Sequence, residues 1–418
     1  MENKVSVCII KTDSENRFLE KTLQSLEENQ EFIDEIIFTG FENELPETDL
    51  EVKTLDLDSE NRAFLRNKCI DNISNELILW MSNSTELEDT TIEEFLETLE
   101  ENDNADFIYG NEVLTTLEND EIVRNFHDIY GREADLLQSL AIENELPEFG
   151  VLSKKEVFQK YGKFDENFDE FEFYKYVLDN IKDLKMKLSD LSFTTTYETT
   201  RFIDTSYNSK ALRDTVKKYN WKTDLFPSLN WNSNENLALT TAYSLIGQQL
   251  KKYHDYYNAS EYFRKALMTF HNKHSLEQLV ESYYFMGMFD EALKLVTEDQ
   301  GFSKEEIQEI KQKISQTKSL VENIEKAIEE GNANEILLSA FDISQVYQGA
   351  PIYNILGVIN FMQGKTEDAF RFFYKAVIIN PLDDDIVKNL ADVSKMLGKE
   401  DKVIKLIGRI FDQELTSV

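Results

Sequence analysis

Two periods of apolar residues divide the chain. Over residues 1–200, short apolar runs alternate with segments whose apolar residues recur every three or four positions. That alternation belongs to an α/β domain. The runs VSVCII (5–10), DEIIFTG (34–40), EVKTLDL (51–57), ELILWMS (76–82) and ADFIYGNEVL (105–114) predict five strands. Between them, RFLEKTLQSLEEN (17–29) places Phe18, Leu19, Thr22, Leu23 and Leu26 on one helical face. NRAFLRNKCIDNI (61–73) turns Ala63, Leu65, Cys69 and Ile70 inward. TTIEEFLETLEEN (90–102) predicts a third helix, with Asp89 or Thr90 as N-cap and acids in its first turn, where they suit the positive end of the helix dipole. A doubly wound sheet with helices on both faces follows. Such sheets bind ligands beyond the carboxyl ends of their strands.

From about Trp231 the strand pattern stops and a helical one repeats. YNILGVINFMQGKTEDAFRFFYKAVIINP (353–381) carries Tyr353, Leu356, Gly357, Gly364, Ala369, Phe373, Ala376 and Pro381. This is the tetratricopeptide pattern, in which small residues let paired helices touch and a proline ends the unit. Leu390, Ala391, Gly398 and Val403 continue it 34 residues later. An earlier unit shows Tyr243, Ile246, Gly247, Ala259, Phe263 and Ala266, and another, VESYYFMGMFDEALKLV (280–296), has Gly287 and Ala292 in the same roles. Segment 304–345 is helical with a poorer pattern. The expected division is 1–200 for the α/β domain, 201–235 for a connecting segment and 236–418 for the repeats. Repeats of this kind pack helices and offer an interaction surface.

Charge and cysteine usage narrow the classes. The 418 residues carry a net charge of −36, a surface that repels nucleic acid and anionic membrane, since phosphate binding needs clustered Lys and Arg. At 41% hydrophobic and 12% aromatic the chain has the means for ordinary cores. The two cysteines, Cys8 and Cys69, have no metal or redox spacing and sit beside apolar residues, so buried free thiols are expected. The four histidines, at 127, 254, 271 and 274, have no ligand spacing, and His271 and His274 are expected to face solvent. No apolar run reaches the roughly 18 residues of a membrane span, and MENKVSVCIIKTDS is not a secretory signal, so a cytoplasmic location is expected.

The first half resembles the family 2 glycosyltransferases, whose GT-A fold is a nucleotide-binding α/β domain. The resemblance covers roughly residues 4–195 and rests on ordered stretches: KVSVCIIKTDSENRFLEKTLQSL, DEIIFTG, RAFLRNKCID, ELILWMSNSTEL and LPEFGVLSKKEVFQKYGKFDENFDEFEFYKYVL (146–178). In the last, Gly162, Phe164, Asp165 and Glu166 match a GxFDE turn, and Asp169–Glu170 fall where an acidic pair follows it. The resemblance implies a nucleotide-sugar donor bound near Lys11, Thr12, Gly40, Arg66, Ser82 and Ser84, with Glu170 or Asp169 as catalytic base. It also implies an aspartate at the end of the second strand to hold the nucleotide base, and two after the fourth to hold a divalent metal. The metal would neutralise charge growing on the donor diphosphate.

This sequence departs from that pattern. Gly40, or Phe41 if the turn shifts by one, stands for the base-holding aspartate, and Ser82 and Ser84 stand for the metal aspartates. Lys11 replaces the proline usual after the first strand. Asn83, Glu86 and Glu88 lie nearby, and Glu86 alone would make a weak metal site. No cofactor is therefore expected, and a divalent ion would be poorly held. Lys11 is a candidate point charge for phosphate. Arg66 is a second one, although an exposed helix arginine is the plainer expectation. Two functions stay open. One is a glycosyltransferase moving a sugar from a nucleotide donor to a protein or polysaccharide acceptor. The other is a degenerate, non-catalytic homologue that works as a scaffold through its repeats. Either way the repeats would meet a protein partner or acceptor, or pair the chain as a homodimer.

Overall fold

The computed structural model describes residues 4–40, 42–117, 119–126, 146–199, 203–331 and 333–413. Phe41 and His127 lie outside them. The chain divides into two compact units, Met1–Tyr207 with Asp214–Pro227, and Asn208–Arg213 with Ser228–Val418. The first is α/β and the second all-helical, the class expected from the two periods.

The first unit is built on one mixed sheet. Its described strands are β1 (Val5–Ile10), β2 (Ile33–Phe38), β3 (Val52–Thr54), β4 (Leu77–Ser82), β5 (Thr85–Leu87), β6 (Phe107–Thr115), β7 (Glu121–Arg124), β8 (Val151–Lys154) and β9 (Met186–Tyr197). They lie in the order β3-β2-β1-β4-β8-β6-β9-β5, with β7 beside β6. Strands β1 to β4 are mutually parallel. The far half is not wound in the same way, because β8 runs antiparallel to both β4 and β6. Every residue of β1 and β4 is buried, which is why both read as continuous apolar runs rather than alternating ones.

Side chains alternate across the sheet, and each face has its own cover. Val7, Ile9, Leu79 and Met81 pack against Leu19, Leu23 and Leu26 of α1 (Leu19–Glu28) and Ile92, Phe95 and Leu99 of α3 (Thr91–Glu101) in one apolar cluster. The opposite face is aromatic. Trp80 meets Phe158 and Phe164 edge-on, each at 5.8 Å, and Phe107 meets Phe173 at 5.5 Å. These rings come from α4 (Glu156–Tyr161), the turn after it, and α5 (Glu172–Asn180). Helix α2 (Arg62–Asn72) also lies on this side, with Leu65 and Cys69 buried and Asn61 capping it by accepting from the Phe64 N–H at 2.9 Å. Both thiols are free and buried, as expected. The first unit also contains much of helix α6 (Ser206–Lys218), whose residues Asn208–Arg213 belong to the second.

The helical unit runs through α7 (Glu235–Lys252), α8 (Tyr256–Thr269), α9 (Lys273–Met286), α10 (Phe289–Leu295), α11 (Lys304–Glu329), α12 (Ala333–Val346), α13 (Ala350–Met362), α14 (Thr366–Ile379), α15 (Asp384–Leu397) and α16 (Glu400–Phe411). The small residues of the repeat pattern have a shared packing role. A β-carbon on Gly247 would lie 2.7 Å from the Phe263 ring, and one on Gly357 would lie 2.5 Å from Phe373. In each helix pair the phenylalanine of the second helix therefore sits directly on the glycine of the first. Among the described residues, no helix is long and apolar enough to cross a membrane.

Candidate functional site

Strand order reverses between β1 and β4, since the chain goes from β1 outward to β2 and β3 and then returns to the other side of β1. At such a switch point two loops diverge and leave a crevice beyond the carboxyl ends of the strands. The residues there are Lys11–Thr12–Asp13 after β1, Thr39–Gly40 after β2, and Ser82–Asn83–Ser84 after β4. The structure thus places the sequence-predicted Lys11, Thr12, Gly40, Ser82 and Ser84 at one edge of the sheet.

Asn83 joins the two sides. Its Oδ1 accepts from Thr12 N at 2.8 Å, Thr12 Oγ1 at 3.1 Å and Asp13 N at 3.0 Å. Its Nδ2 donates to Asp13 O and to Asn16 Oδ1, both at 2.6 Å. Every polar group of this side chain is used, so the loop after β1 is pinned to the β4 turn. Ser82 and Ser84 are buried and bond to each other at 3.0 Å, and Ser82 Oγ also bonds Thr85 Oγ1 at 2.7 Å. This is a neutral, internally satisfied knot of hydroxyls. Glu86 lies just beyond and accepts from Tyr197 Oη at 2.5 Å, while Lys21 Nζ donates to the same oxygen at 2.9 Å. Burial, then the bond to Glu86, pushes the Tyr197 hydroxyl above its usual value.

A divalent cation needs anionic oxygen ligands, and the residues here do not fit one. The two serines are neutral and engaged with one another, and Glu86 is held by Tyr197. Among the described residues no group of three metal-ligating side chains occurs anywhere.

Gly40 lacks room for an aspartate. A β-carbon there would lie 2.5 Å from the Phe38 ring and 2.8 Å from Glu44 Oε2. Glu44 also pairs with Lys11, Nζ to Oε1 at 2.5 Å, with both side chains about one-fifth exposed. Two further cations surround the switch point, neither singled out by the sequence reading. Arg17 Nε bonds Asp13 at 3.1 Å, and Lys21 reaches Tyr197, whose N–H bonds Ser84 O at 2.9 Å. Both lie on or beside α1 and look like ordinary solvated positions in the sequence.

The remaining predicted residues divide. Asp169 and Glu170 stand just before α5, and Asp169 Oδ1 accepts from Asn61 Nδ2 at 2.7 Å, tying that turn to the start of α2. Phe171, directly before α5, adopts a left-handed conformation with φ of 58°, uncommon for a bulky residue and often seen where a site demands it. Arg66 corrects the expectation of an exposed helix arginine, for it is 0% exposed. Its Nε donates to Glu172 Oε1 at 2.5 Å and its Nη2 to Glu148 O at 2.7 Å. The rings of Trp80, Phe149, Phe164 and Phe173 surround its guanidinium at 4.6–5.8 Å. It is therefore not a phosphate ligand in this conformation. Burial, and then the Glu172 charge, push the Glu148 carboxyl up to about 8. Glu172 and Glu148 were the functional-looking acids least visible in sequence: one sits in a run of acids, and the other is separated from Arg66 by 82 positions.

No family model matches the sequence, and no curated protein matches it. Solved structures do align. A crystal structure of S. aureus TarS shares 11% identity at a TM-score of 0.39, covering 68% of this chain and 56% of that one. A crystal structure of S. aureus TarS 1-349 shares 10% identity at a TM-score of 0.40, covering 75% of this chain and 92% of that one. This chain thus spans little more than half the length of the first.

Proposed function

We propose that the first unit is a glycosyltransferase-type domain, family 2 in kind, that transfers a sugar from a nucleotide donor to a protein or polysaccharide acceptor without a divalent metal. The observation that carries this reading is the gathering of Lys11, Arg17 and Lys21 around the switch point of a chain whose net charge is −36. Lys11 is paired with Glu44 and Arg17 with Asp13, so an anionic ligand enters by exchange with these carboxylates. A donor diphosphate displaces Glu44 from Lys11, and the lysine then meets the charge that grows on the leaving phosphates. Glu170 takes the acceptor proton. Asp169, one of whose oxygens accepts from Asn61, is the alternative base. The helical unit presents the acceptor or a protein partner.

A second reading is favoured by one observation. The Ser82–Ser84–Thr85 hydroxyls are closed on each other and Lys11 is already neutralised. On that reading the domain is a non-catalytic homologue, and the helical unit is the working part. Calorimetric titration with nucleoside diphosphates and their sugars, with and without Mn²⁺, separates the two. Metal-independent binding of one nucleotide, lost in Lys11→Ala, supports transfer. No binding by folded protein leaves the scaffold.

A further inference from the structure

The two carboxylates that neutralise Lys11 and Arg17 at the switch point are not equally able to leave. Asp13 is built into the fold. It is 4% exposed, its Oδ1 accepts from Glu15 N at 3.2 Å, and its Oδ2 accepts from Arg17 N at 2.9 Å as well as from Arg17 Nε. Without it those backbone donors lose their acceptor. Glu44 ends a short 3₁₀ turn (Glu42–Glu44) between β2 and β3. That turn is closed by the Leu45 N–H on Glu42 O at 3.2 Å, a bond that makes no use of the Glu44 side chain. The Glu44 side chain is 23% exposed, so water can reach the carboxylate when it moves.

That carboxylate reaches two places at once. Its Oε1 takes the Lys11 ammonium at 2.5 Å. Its Oε2 would lie 2.8 Å from a β-carbon on Gly40, so it occupies the space in which a side chain at position 40 would begin. The glycine is what gives it room, for the Phe38 ring fills the other side of the same space. Lys11, by contrast, stands on fixed backbone. Its N–H donates to Thr39 Oγ1 at 3.0 Å, and the buried Thr39 is itself tied to Ile9 O through its N–H at 3.0 Å. The switch point therefore holds an anchored cation whose counter-ion comes from a separate turn. A phosphate brings more charge than a carboxylate, and three acceptor oxygens.

We propose that Glu44 is the anion gate of the switch point: its carboxylate stands in for a phosphate on Lys11, covers Gly40, and swings away when a diphosphate binds. Glu44 then sets the affinity of the site, because each arriving anion has to replace it on the lysine. This rests on the reading of Lys11 as the phosphate contact and adds the residue that opposes it. Asp13 stays in place on Arg17, so the loop after β1 keeps its shape through the exchange.

Calorimetric titration of the full chain with inorganic pyrophosphate, in buffer freed of divalent metal, tests this. Glu44→Gln keeps the shape of the side chain and removes its charge. It is expected to bind pyrophosphate about fivefold tighter than the parent, the effect of one partly buried ion pair that no longer competes. Glu42→Gln removes the same charge from the exposed start of the same turn. It is expected to change the affinity by less than about twofold, because a solvated charge is screened. In a Lys11→Met background Glu44→Gln should bring no gain, since the two residues act as one pair. Equal gains from Glu42→Gln and Glu44→Gln would reduce the effect to net charge and overturn the proposal, as would a gain that persists without Lys11. Binding by the parent that is lost in Lys11→Met but unmoved by Glu44→Gln would overturn the gate and leave Lys11 as the phosphate contact. No binding by either the parent or Glu44→Gln, both shown to be folded by their unfolding midpoints, would remove the Lys11 reading and the gate together.

Discussion

The Ser82–Thr85 turn and the Arg66 cluster lie side by side in the first unit, and they bury polarity in opposite ways. Trp80, which the Arg66 guanidinium approaches to 5.1 Å, and Ser82 are two residues apart on β4 and so project to the same face. At Ser82 the groups are neutral and close on one another, leaving no charge to stabilise. Around Arg66 one cation meets two carboxyls, and Arg66 Nη1, Glu172 Oε2 and Glu148 Oε2 are buried without hydrogen-bond partners. A buried charge stays tolerable only while its partner is present. The turn can therefore lose a member cheaply, whereas the cluster cannot. Both positions read from sequence as donor ligands, and neither side chain is presented to solvent.

The largest test of this contrast is Glu172→Ala. It leaves Arg66 charged, buried and without its carboxylate, which costs about 3–5 kcal/mol. The cost should appear in the denaturant midpoint of the first unit. A loss below about 1 kcal/mol would mean that the guanidinium finds water and that the cluster is not sealed. Glu148 gives a sharper variant. Its carboxyl is raised from an ordinary 4.5 to about 8, chiefly by burial, so folding favours its neutral form. The stability it supplies is full below pH 4.5 and is lost as the pH rises through about 8. Glu148→Gln keeps the neutral form at every pH. At alkaline pH it should exceed the parent by at least about 1.4 kcal/mol, the equivalent of one pKa unit, and near pH 4.5 the two should coincide. Parallel stability curves for the two proteins from acid to alkaline pH would contradict a buried, proton-carrying Glu148.

How much of this was legible follows from the distance over which each cause acts. Strands β1, β2, β4 and β6 and helices α1 to α3 were readable, because a buried strand or an amphipathic helix repeats its signal within one segment. Strand β5 is three residues long and β8 four, too short to show a period, and both owe their place to pairing with distant strands. Thr90 does sit at the N-cap of α3, but without a capping side-chain bond, so the acids of the first turn remain the favourable term there. Lys11, Thr12, Gly40, Ser82 and Ser84 were named from the family resemblance, and they lie at the ends of β1, β2 and β4, strands that the apolar runs predicted. The fate of Arg66 was not, since on α2 it takes the place of an ordinary helix arginine. What buries it are rings and acids 80 or more positions away in Phe149, Phe164, Glu148 and Glu172.

The smaller effects belong to the switch point. Gly40→Ala places a β-carbon 2.5 Å from the Phe38 ring. Such overpacking costs about 1–3 kcal/mol, and an unchanged unfolding midpoint would show that the ring has room to move and an aspartate could stand there. Ser82→Ala removes one hydroxyl that two neighbours share, for about 1 kcal/mol, well under the loss at Glu172. A loss of several kcal/mol would instead make the knot as sensitive as the charged cluster and remove the contrast. Lys11→Met should change stability least. Its pair with Glu44 is only partly buried, and such pairs are worth about 0–1 kcal/mol. Stability is also the useful control here. Because the fold does not depend on this lysine, any loss of nucleotide binding in Lys11→Met reports on its charge at the switch point, and not on a disturbed sheet edge. A Lys11→Met protein that keeps both its stability and its nucleotide binding would remove the proposed role of that charge.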